Sequence, residues 1–367
     1  MQPRIVFGTH YQVDEPAYME LLVKLCTSPV QSTYREVVEQ RFAQEVRSRG
    51  KSFNTAAGRY AVDLARALDL ITSNNTWTDK GHLVNLVAEI RGGEEFEKQL
   101  RLSLAERLLH FRVFLEGDGA ALLFLARRLV QCGSVAGSDV TWNLWAKEMF
   151  TEVYSEYLAI TNSTADRVNL RREIERIKAK GYEGRTGSHK MFIHLQTLYR
   201  LGLVTLPDSA GSRAYQLLEH PQGTQRGLEI LLEEVPDVLA LEKVINTHKW
   251  TEVAAKVLQV ASTRLSEEPI RSSAVRVLSS VVSYYRQVMS TGVPLCSLST
   301  LIEATQIKAL AEASQLLTYD GILDLIVATQ KENPKDIRFH VDRRGSPAFV
   351  KLSDRVVKVY STEKVSA

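Results

Sequence analysis

Basic residues are concentrated between positions 167 and 190, where eight Lys or Arg residues stand against three Glu residues. The whole chain has a formal net charge of only +3, so this excess is a local feature. Contacts from Lys and Arg to phosphates supply most of the affinity for a nucleic acid backbone. The segment therefore predicts a polyanion-binding surface. Its basic members are Arg167, Arg171, Arg172, Arg176, Lys178, Lys180, Arg185 and Lys190.

Two predicted helices must position these residues. Residues 165–179 favour a basic helix, residues 181–187 form a break rich in turn formers, and residues 188–201 favour a second helix with Ser188 as its N-cap. Free N–H groups at the start of the second helix are suited to a phosphate. We therefore expect its first residues to lie nearest the ligand, with Gln196 and Arg200 further along. Those first residues are Ser188, His189 and Lys190, preceded by Arg185.

The alternative for the first of these helices is a plain solvated face. Glu175 stands at helical spacing from Arg171 and from Arg172, so surface ion pairs would consume part of the positive charge.

A predicted hairpin follows the second helix directly. The helix ends at Gly202, an apolar strand follows, a small polar loop comes next, and a second strand then carries Arg213. This order resembles a winged helix-turn-helix. The resemblance implies a third helix in the major groove of double-stranded DNA and a wing on the backbone or minor groove, with Arg213 as the wing contact.

The N-terminal region has a similar order of elements. Helices are predicted at 15–26, 33–46 and 54–70, followed by a turn at 73–75 and by the run Thr78–Gly81. This order also resembles a winged helix, with a very short wing. The resemblance implies a basic loop and helix face toward DNA, and the alternative is a domain that only packs. The residues concerned are Arg47, Arg49, Lys51 and Arg59, with Asp63 either opposing phosphate or pairing with Arg59.

The C-terminal region repeats the scheme more weakly. Helices are predicted at 298–313 and 319–331, followed by strands at 336–342 and 348–352. Arg343 and Arg344 would occupy the tip of this hairpin and resemble a wing that grips a backbone. The alternative is that these cations only protect an exposed sheet edge from aggregation.

These patterns predict a mainly α-helical protein, in which several winged-helix-like modules of helices and short β-hairpins are joined by helical segments. A length of 367 residues suits two or three domains. The predicted division is an N-terminal winged-helix-like domain at 1–93, a helical connecting region at 94–160, a central winged-helix-like domain at 161–225, a helical region at 226–292, and a C-terminal winged-helix-like domain at 293–367.

The sequence carries no recognisable catalytic motif. HExxH, GxSxG and GxxxxGK[ST] are missing, and Arg107 and His110 depart from the spacing of histidine-based ribonucleases. The three cysteines are isolated, which is typical of reduced cytosolic proteins. The apolar run at 119–126 is too short to span a bilayer. We therefore expect a cytoplasmic protein that is not an enzyme and uses no metal, no small-molecule cofactor and no membrane.

Together these features predict a non-catalytic, double-stranded DNA-binding protein. It would act as a transcriptional regulator or as the DNA-recognition subunit of a larger complex, such as a prokaryotic antiviral-defence or mobile-element complex. Protein partners or self-association are expected. The alternative is a protein–protein interaction scaffold whose winged helices serve as adaptors, and the third is a nuclease-associated protein.

Overall fold

Helices dominate the computed structural model of the chain, which confirms the mainly α class. The structure describes residues 3–6, 17–26, 35–48, 55–91, 102–181, 186–206, 214–218, 226–247, 249–263, 265, 268–288, 295–332, 337–340, 349–352 and 357–360. Within those residues the helices are α1 (Ala17–Leu25), α2 (Arg35–Ser48), α3 (Thr55–Ala67), α4 (Asp79–Arg91), α5 (Leu104–Cys132), α6 (Asp139–Ile160), α7 (Thr164–Lys180), α8 (Thr186–Arg200), α9 (Gly227–Glu234), α10 (Val238–Asn246), α11 (Trp250–Val257), α12 (Glu268–Val288), α13 (Leu298–Ala313) and α14 (Tyr319–Glu332).

In the same described residues, short strands form three small sheets. The first is antiparallel with the order β1-β3-β2, the second pairs β4 with β6 in parallel, and the third has the order β5-β9-β8-β7. The strands are β1 (Ser134–Ala136), β2 (Val204–Thr205), β3 (Ala214–Leu217), β4 (Ser262–Thr263), β5 (Leu295–Ser297), β6 (Leu316–Leu317), β7 (Ile337–His340), β8 (Phe349–Leu352) and β9 (Val357–Tyr360).

The chain divides into two units that are each discontinuous in sequence. Unit 1 comprises residues 1–78, 94–102 and 107–259, and unit 2 comprises residues 79–93, 103–106 and 260–367. The boundaries of the five predicted regions differ from the boundaries of these two units. The N-terminal region is itself shared, because α1 to α3 belong to unit 1 and α4 belongs to unit 2.

The core of unit 1 is organised around α5. This helix has 29 residues, and its apolar residues are spread around its circumference, so a single contact face cannot bury them. Residues 120–126, which hold the longest apolar run of the sequence, are all buried. No helix in the described part of the chain is long and apolar enough to cross a membrane. The apolar run therefore belongs to the hydrophobic core of unit 1.

Helices α7 and α8 both pack against α6 in unit 1. The apolar stripe of α7, formed by Leu170, Ile174 and Ile177, is buried because residues four and three apart share one helix face. Trp142 of α6 makes edge-to-face ring contacts with Phe192 of α8 and with Tyr215 of β3. These contacts connect the helices to the small antiparallel sheet.

A four-residue segment at 3–6 runs against α5, α6 and α10. The Arg4 guanidinium donates two hydrogen bonds to the Glu242 carboxylate, at 2.7 and 2.8 Å, and a third to the Glu116 carbonyl at 2.7 Å. The Tyr157 hydroxyl donates to the same carboxylate at 2.8 Å. Since Glu242 is buried, these charge-assisted donors offset the cost of removing its charge from water.

Helix α13 lies at the centre of unit 2. Residues 300–310 are all buried, and α13 contacts α4, α12 and α14. On the α4 side, Asn85 donates to the Tyr284 hydroxyl of α12 at 2.7 Å, and that hydroxyl donates to the His82 carbonyl at 3.2 Å. The four-stranded sheet contacts α13 and α14.

The imidazole of His82 makes unit 2 sensitive to acid. It is buried against the Tyr285 ring, with ring centroids 5.9 Å apart, and burial lowers the pKa of His82 to about 4 from the usual 6.5. Below pH 6.5 the unfolded chain therefore binds a proton that the folded chain does not bind until about pH 4.

We expect stability to be constant above pH 6.5 and to fall between pH 6.5 and 4, by about 2 kcal/mol at pH 5. His82→Phe removes the titrating group and should make the urea midpoints at pH 7 and pH 5 more similar, whereas His189→Gln should retain the full acid effect. An unchanged pH dependence in His82→Phe would contradict this assignment.

Candidate nucleic-acid interface

The exposed side of α7 carries a concentration of cations. Its buried stripe faces the protein, so the remaining residues of the helix lie in solvent. The helix holds six basic and three acidic residues, which keeps the local excess of positive charge that the sequence predicts. The exposed members of the predicted site on this helix are Arg171, Arg172, Arg176, Lys178 and Lys180.

These cations form two lines along the helix. Arg172, Arg176 and Lys180 are spaced by four residues and share one flank. Arg171 and Lys178 are seven residues apart and share the other flank. At 1.5 Å per residue, the first line is about 12 Å long. Val168, which is 51% exposed, lies between the two lines.

Little of this charge is neutralised within the helix. Arg176 forms a salt bridge with Glu173 at 2.7 Å, and Arg167 donates its Nε–H to the Thr161 carbonyl at 2.9 Å. In the described part of the chain, neither Arg171 nor Arg172 forms the expected ion pair with Glu175. The alternative in which surface pairs consume the charge therefore applies only to Arg176.

Helix α8, predicted as the helix nearest the ligand, belongs to the core. Residues 191–198 are all buried, including Gln196. His189 is half-buried, and Arg200 stacks over the neighbouring Tyr199 ring at 5.0 Å. Two full turns of this helix are therefore closed to a ligand, which moves the accessible basic surface to α7.

Lys190 is packed against α6. Its ammonium lies 5.5 Å from the centroid of the Phe150 ring, a cation–π arrangement. Burial lowers the pKa of Lys190, and the nearby Arg176 charge lowers it further. The structure thus brings two predicted site residues together, but Lys190 lies half-buried behind the exposed line on α7.

The N-terminus of α8 is also engaged by the protein. Gly187 is buried, and its N–H donates to the Asn143 side-chain oxygen of α6 at 2.7 Å. This group was among the free donors predicted to meet a phosphate. Only glycine fits at position 187. A Cβ atom there would lie 2.1 Å from the side-chain oxygen of Asn143 and 2.4 Å from the Cα atom of Asn143. Side chains of residues 182–186 and 188 lie outside the described part.

A buried acid–histidine pair holds α8 against α5. His194 Nδ1 is hydrogen-bonded to Asp118 Oδ2, and both residues are fully buried. The other Asp118 oxygen accepts the Val6 N–H at 2.8 Å. Burial raises the pKa of Asp118, whereas the contacts of its carboxylate with His194 and Val6 act in the other direction and lower that pKa. This pair was not predictable from the sequence, because its members are 76 positions apart.

The predicted hairpin after α8 is present as β2 and β3, with Val204 opposite Leu217. Strand β1, which is not predicted from the sequence, pairs with β3 and places Val135 opposite Tyr215. Arg213, the predicted wing contact, lies outside the described residues, as does Arg185.

The N-terminal region shows part of its predicted arrangement. Helices α1, α2 and α3 contact one another, and a bridge between Ile71 and Trp77 closes a very short hairpin after α3. Arg47 and Arg59 are exposed. Asp63 pairs with Arg35 at 2.8 Å, rather than with Arg59. Arg49 and Lys51 lie outside the described residues, as do the C-terminal Arg343 and Arg344.

Within the described residues, no group of three His, Cys, Asp or Glu residues could hold a metal ion. His110, considered for ribonuclease chemistry, is buried and hydrogen-bonded to Glu20 at 2.8 Å. No protein-family model, curated protein or solved structure matches the chain. The function is therefore inferred from the residues of the chain itself.

Gly187→Ala tests whether α8 is docked on α6 as described. We expect a loss of about 1–3 kcal/mol in unfolding free energy, because the backbone of Asn143 has to move to admit the new methyl group. Chemical denaturation followed by circular dichroism measures it. Ala179→Ser, on the exposed side of α7, is the control and should change stability by less than about 1 kcal/mol. Equal stability of Gly187→Ala and the parent chain would rule out this packing.

Proposed function

We propose that the protein binds double-stranded DNA without catalysis, through the exposed cations of α7. The observation that carries the proposal is the pair of cation lines on opposite flanks of one surface helix. One line is Arg172, Arg176 and Lys180, and the other is Arg171 and Lys178. Each supplies phosphate contacts of the kind that dominate DNA affinity.

The spacing of the two lines favours a duplex. The major groove of B-DNA is about 12 Å wide and admits one α-helix. A helix in that groove has a phosphate backbone on each side, so cations are useful on both of its flanks. The middle of the exposed face, which includes Val168, Glu175 and Ala179, would then lie toward the base edges.

The winged-helix-like organisation is part of this proposal. In the central region, two consecutive helices are followed by an antiparallel hairpin that β1 extends to three strands. In the N-terminal region, three mutually packed helices precede a short hairpin. Both observations support the resemblance, with the difference that α7 rather than α8 presents the accessible cations.

The cellular role that fits best is a transcriptional regulator or the DNA-recognition subunit of a larger complex. Both roles need duplex binding without chemistry. A near-neutral chain with one basic helix suits localised contact with DNA rather than coating of it.

Double replacement of α7 cations tests the proposal. Arg172→Gln with Lys180→Gln removes two exposed cations that make no ion pair within the described residues, so the fold should be retained. We expect at least tenfold weaker binding to a 20-base-pair duplex at low salt. We also expect the slope of log affinity against log salt to become shallower by about 2. Fluorescence anisotropy at several salt concentrations measures both.

A control of equal charge is available in the same unit. Lys243→Gln with Lys249→Gln also removes two exposed cations, and it should leave duplex affinity within about twofold if α7 is the site. Equal weakening by both double variants would indicate non-specific attraction and contradict the α7 assignment. Failure of the parent chain to bind duplex at low salt would exclude the function itself.

An adaptor function is favoured by a different observation. Val140 and Leu144 lie one turn apart at the start of α6 and are 77% and 53% exposed. Exposed apolar residues in adjacent positions are more typical of a protein-binding surface than of a DNA surface.

If this surface binds a second copy of the chain, Val140→Ser with Leu144→Ser should reduce self-association, measured by analytical ultracentrifugation, without changing duplex affinity. Val275→Ser, another exposed apolar position, serves as the control. A monomeric parent chain, or equal association of all three proteins, would contradict self-association through this surface.

A further inference from the structure

An acidic residue, Glu175, lies in the middle of the basic face of α7. It comes seven residues after Val168 and four before Ala179, so these three residues share the stripe between the two cation lines. The Glu175 side chain is exposed. Within the described part of the chain, it forms no ion pair with the cations three and four residues away. Its carboxylate is therefore accessible to a ligand that covers this face.

The other two acids of α7 have roles within the helix. Asp166 belongs to the first turn, where a negative charge favours the helix N-terminus. Glu173 is half-buried and accepts hydrogen bonds from Arg176 at 2.8 and 2.7 Å. Glu175 is in neither situation, because it lies in the third turn and is fully on the solvent side. Helix stability does not explain an acid at this position.

A carboxylate at position 175 also opposes binding of a phosphate backbone, since like charges repel. In the proposed complex, the two cation lines face the backbones and the stripe between them faces the base edges. Covering the Glu175 carboxylate there removes it from water, which is costly unless a hydrogen-bond donor meets it. Glu175 therefore weakens duplex binding wherever the base edge offers no donor.

The major groove offers such donors at only two bases. The amino groups of cytosine and adenine donate, whereas guanine and thymine present only acceptors. An ionised carboxylate can only accept. The adenine amino group lies between two acceptors, adenine N7 and thymine O4, but the cytosine amino group has an acceptor on one side only, guanine O6. A carboxylate is therefore best accommodated at cytosine, which is the usual partner of Glu and Asp in the groove.

We propose that Glu175 is a specificity-determining residue, which accepts a hydrogen bond from the N4 amino group of a cytosine. This inference rests on the proposed binding of duplex DNA and adds a sequence preference to it. The cation lines supply affinity that is the same for every sequence. Glu175 makes that affinity depend on one base pair, a C·G pair at the point where the middle of α7 crosses the groove.

The test begins with selection of preferred sequences from duplexes that contain a random stretch, using the full chain. The parent chain should enrich a cytosine at one position, and any other base there should weaken binding about fivefold or more. Glutamine bonds adenine through one donor and one acceptor, so Glu175→Gln should change the preference at that position from cytosine to adenine. Sequencing gives the preference, and fluorescence anisotropy gives the affinity.

A modified base tests the contact directly. In N4-methylcytosine, a methyl group replaces the amino hydrogen that faces the major groove, while the base still pairs with guanine. Its incorporation at the selected position should weaken binding of the parent chain about fivefold or more. Glu175→Ala has no carboxylate to lose a hydrogen bond, so its affinity should stay within about twofold.

Two controls separate the base contact from general electrostatics. Glu173→Gln removes the same charge from the same helix, but Glu173 is bonded to Arg176 at the side of the face, so the cytosine preference should remain. Arg172→Gln with Lys180→Gln should weaken the duplexes with and without the cytosine by the same factor, because phosphate contacts carry no sequence information.

A cytosine preference that Glu175→Ala abolishes supports the inference. Binding of the parent chain without a preferred base, or the same preference in the parent and in Glu175→Ala, overturns it and leaves the proposed duplex binding in place. An equal gain in affinity for all duplexes in Glu175→Gln also overturns it, because the carboxylate then only repels phosphates. No duplex binding at low salt overturns both the inference and the proposed function.

Discussion

Unit 1 depends on the pairing of buried ionisable side chains along α5. His110 pairs with Glu20 of α1, and two turns further on Asp118 pairs with His194 of α8. Each group would be costly to bury alone, since an unpaired buried charge costs several kcal/mol. The pairs therefore favour one arrangement of α1, α5 and α8 over others with similar apolar burial. Arg4 adds a third contact of this kind through Glu242.

The buried pairs explain why α7, and not α8, presents its basic residues to solvent. Fixing α8 against α5 by His194, and against α6 by Gly187, leaves residues 191–198 in the core. Helix α7 packs on α6 through its apolar stripe and exposes its cations. The winged-helix resemblance and the buried pairs thus lead to the same basic region but to different helices within it.

The positions of the helices were predictable, because their apolar periodicity is strong. The structure has α7 at 164–180 and α8 at 186–200, against predictions of 165–179 and 188–201. Exposure was not predictable, since the partners that bury α8 come from distant positions. Strand β1 has only three residues, too few for an alternating pattern. The register in which β7, β8 and β9 pair is not determined by composition alone.

The placement of α4 in unit 2 has a consequence for synthesis of the chain. Residues 81–87 of α4 are buried, yet the Asn85 partner Tyr284 comes 199 positions later. At about 5–20 residues per second, the ribosome needs on the order of 10–40 s to make that stretch. During this interval the residues of α12 and α13 that contact α4 have not yet been made. Unit 2 can therefore complete its fold only late in synthesis.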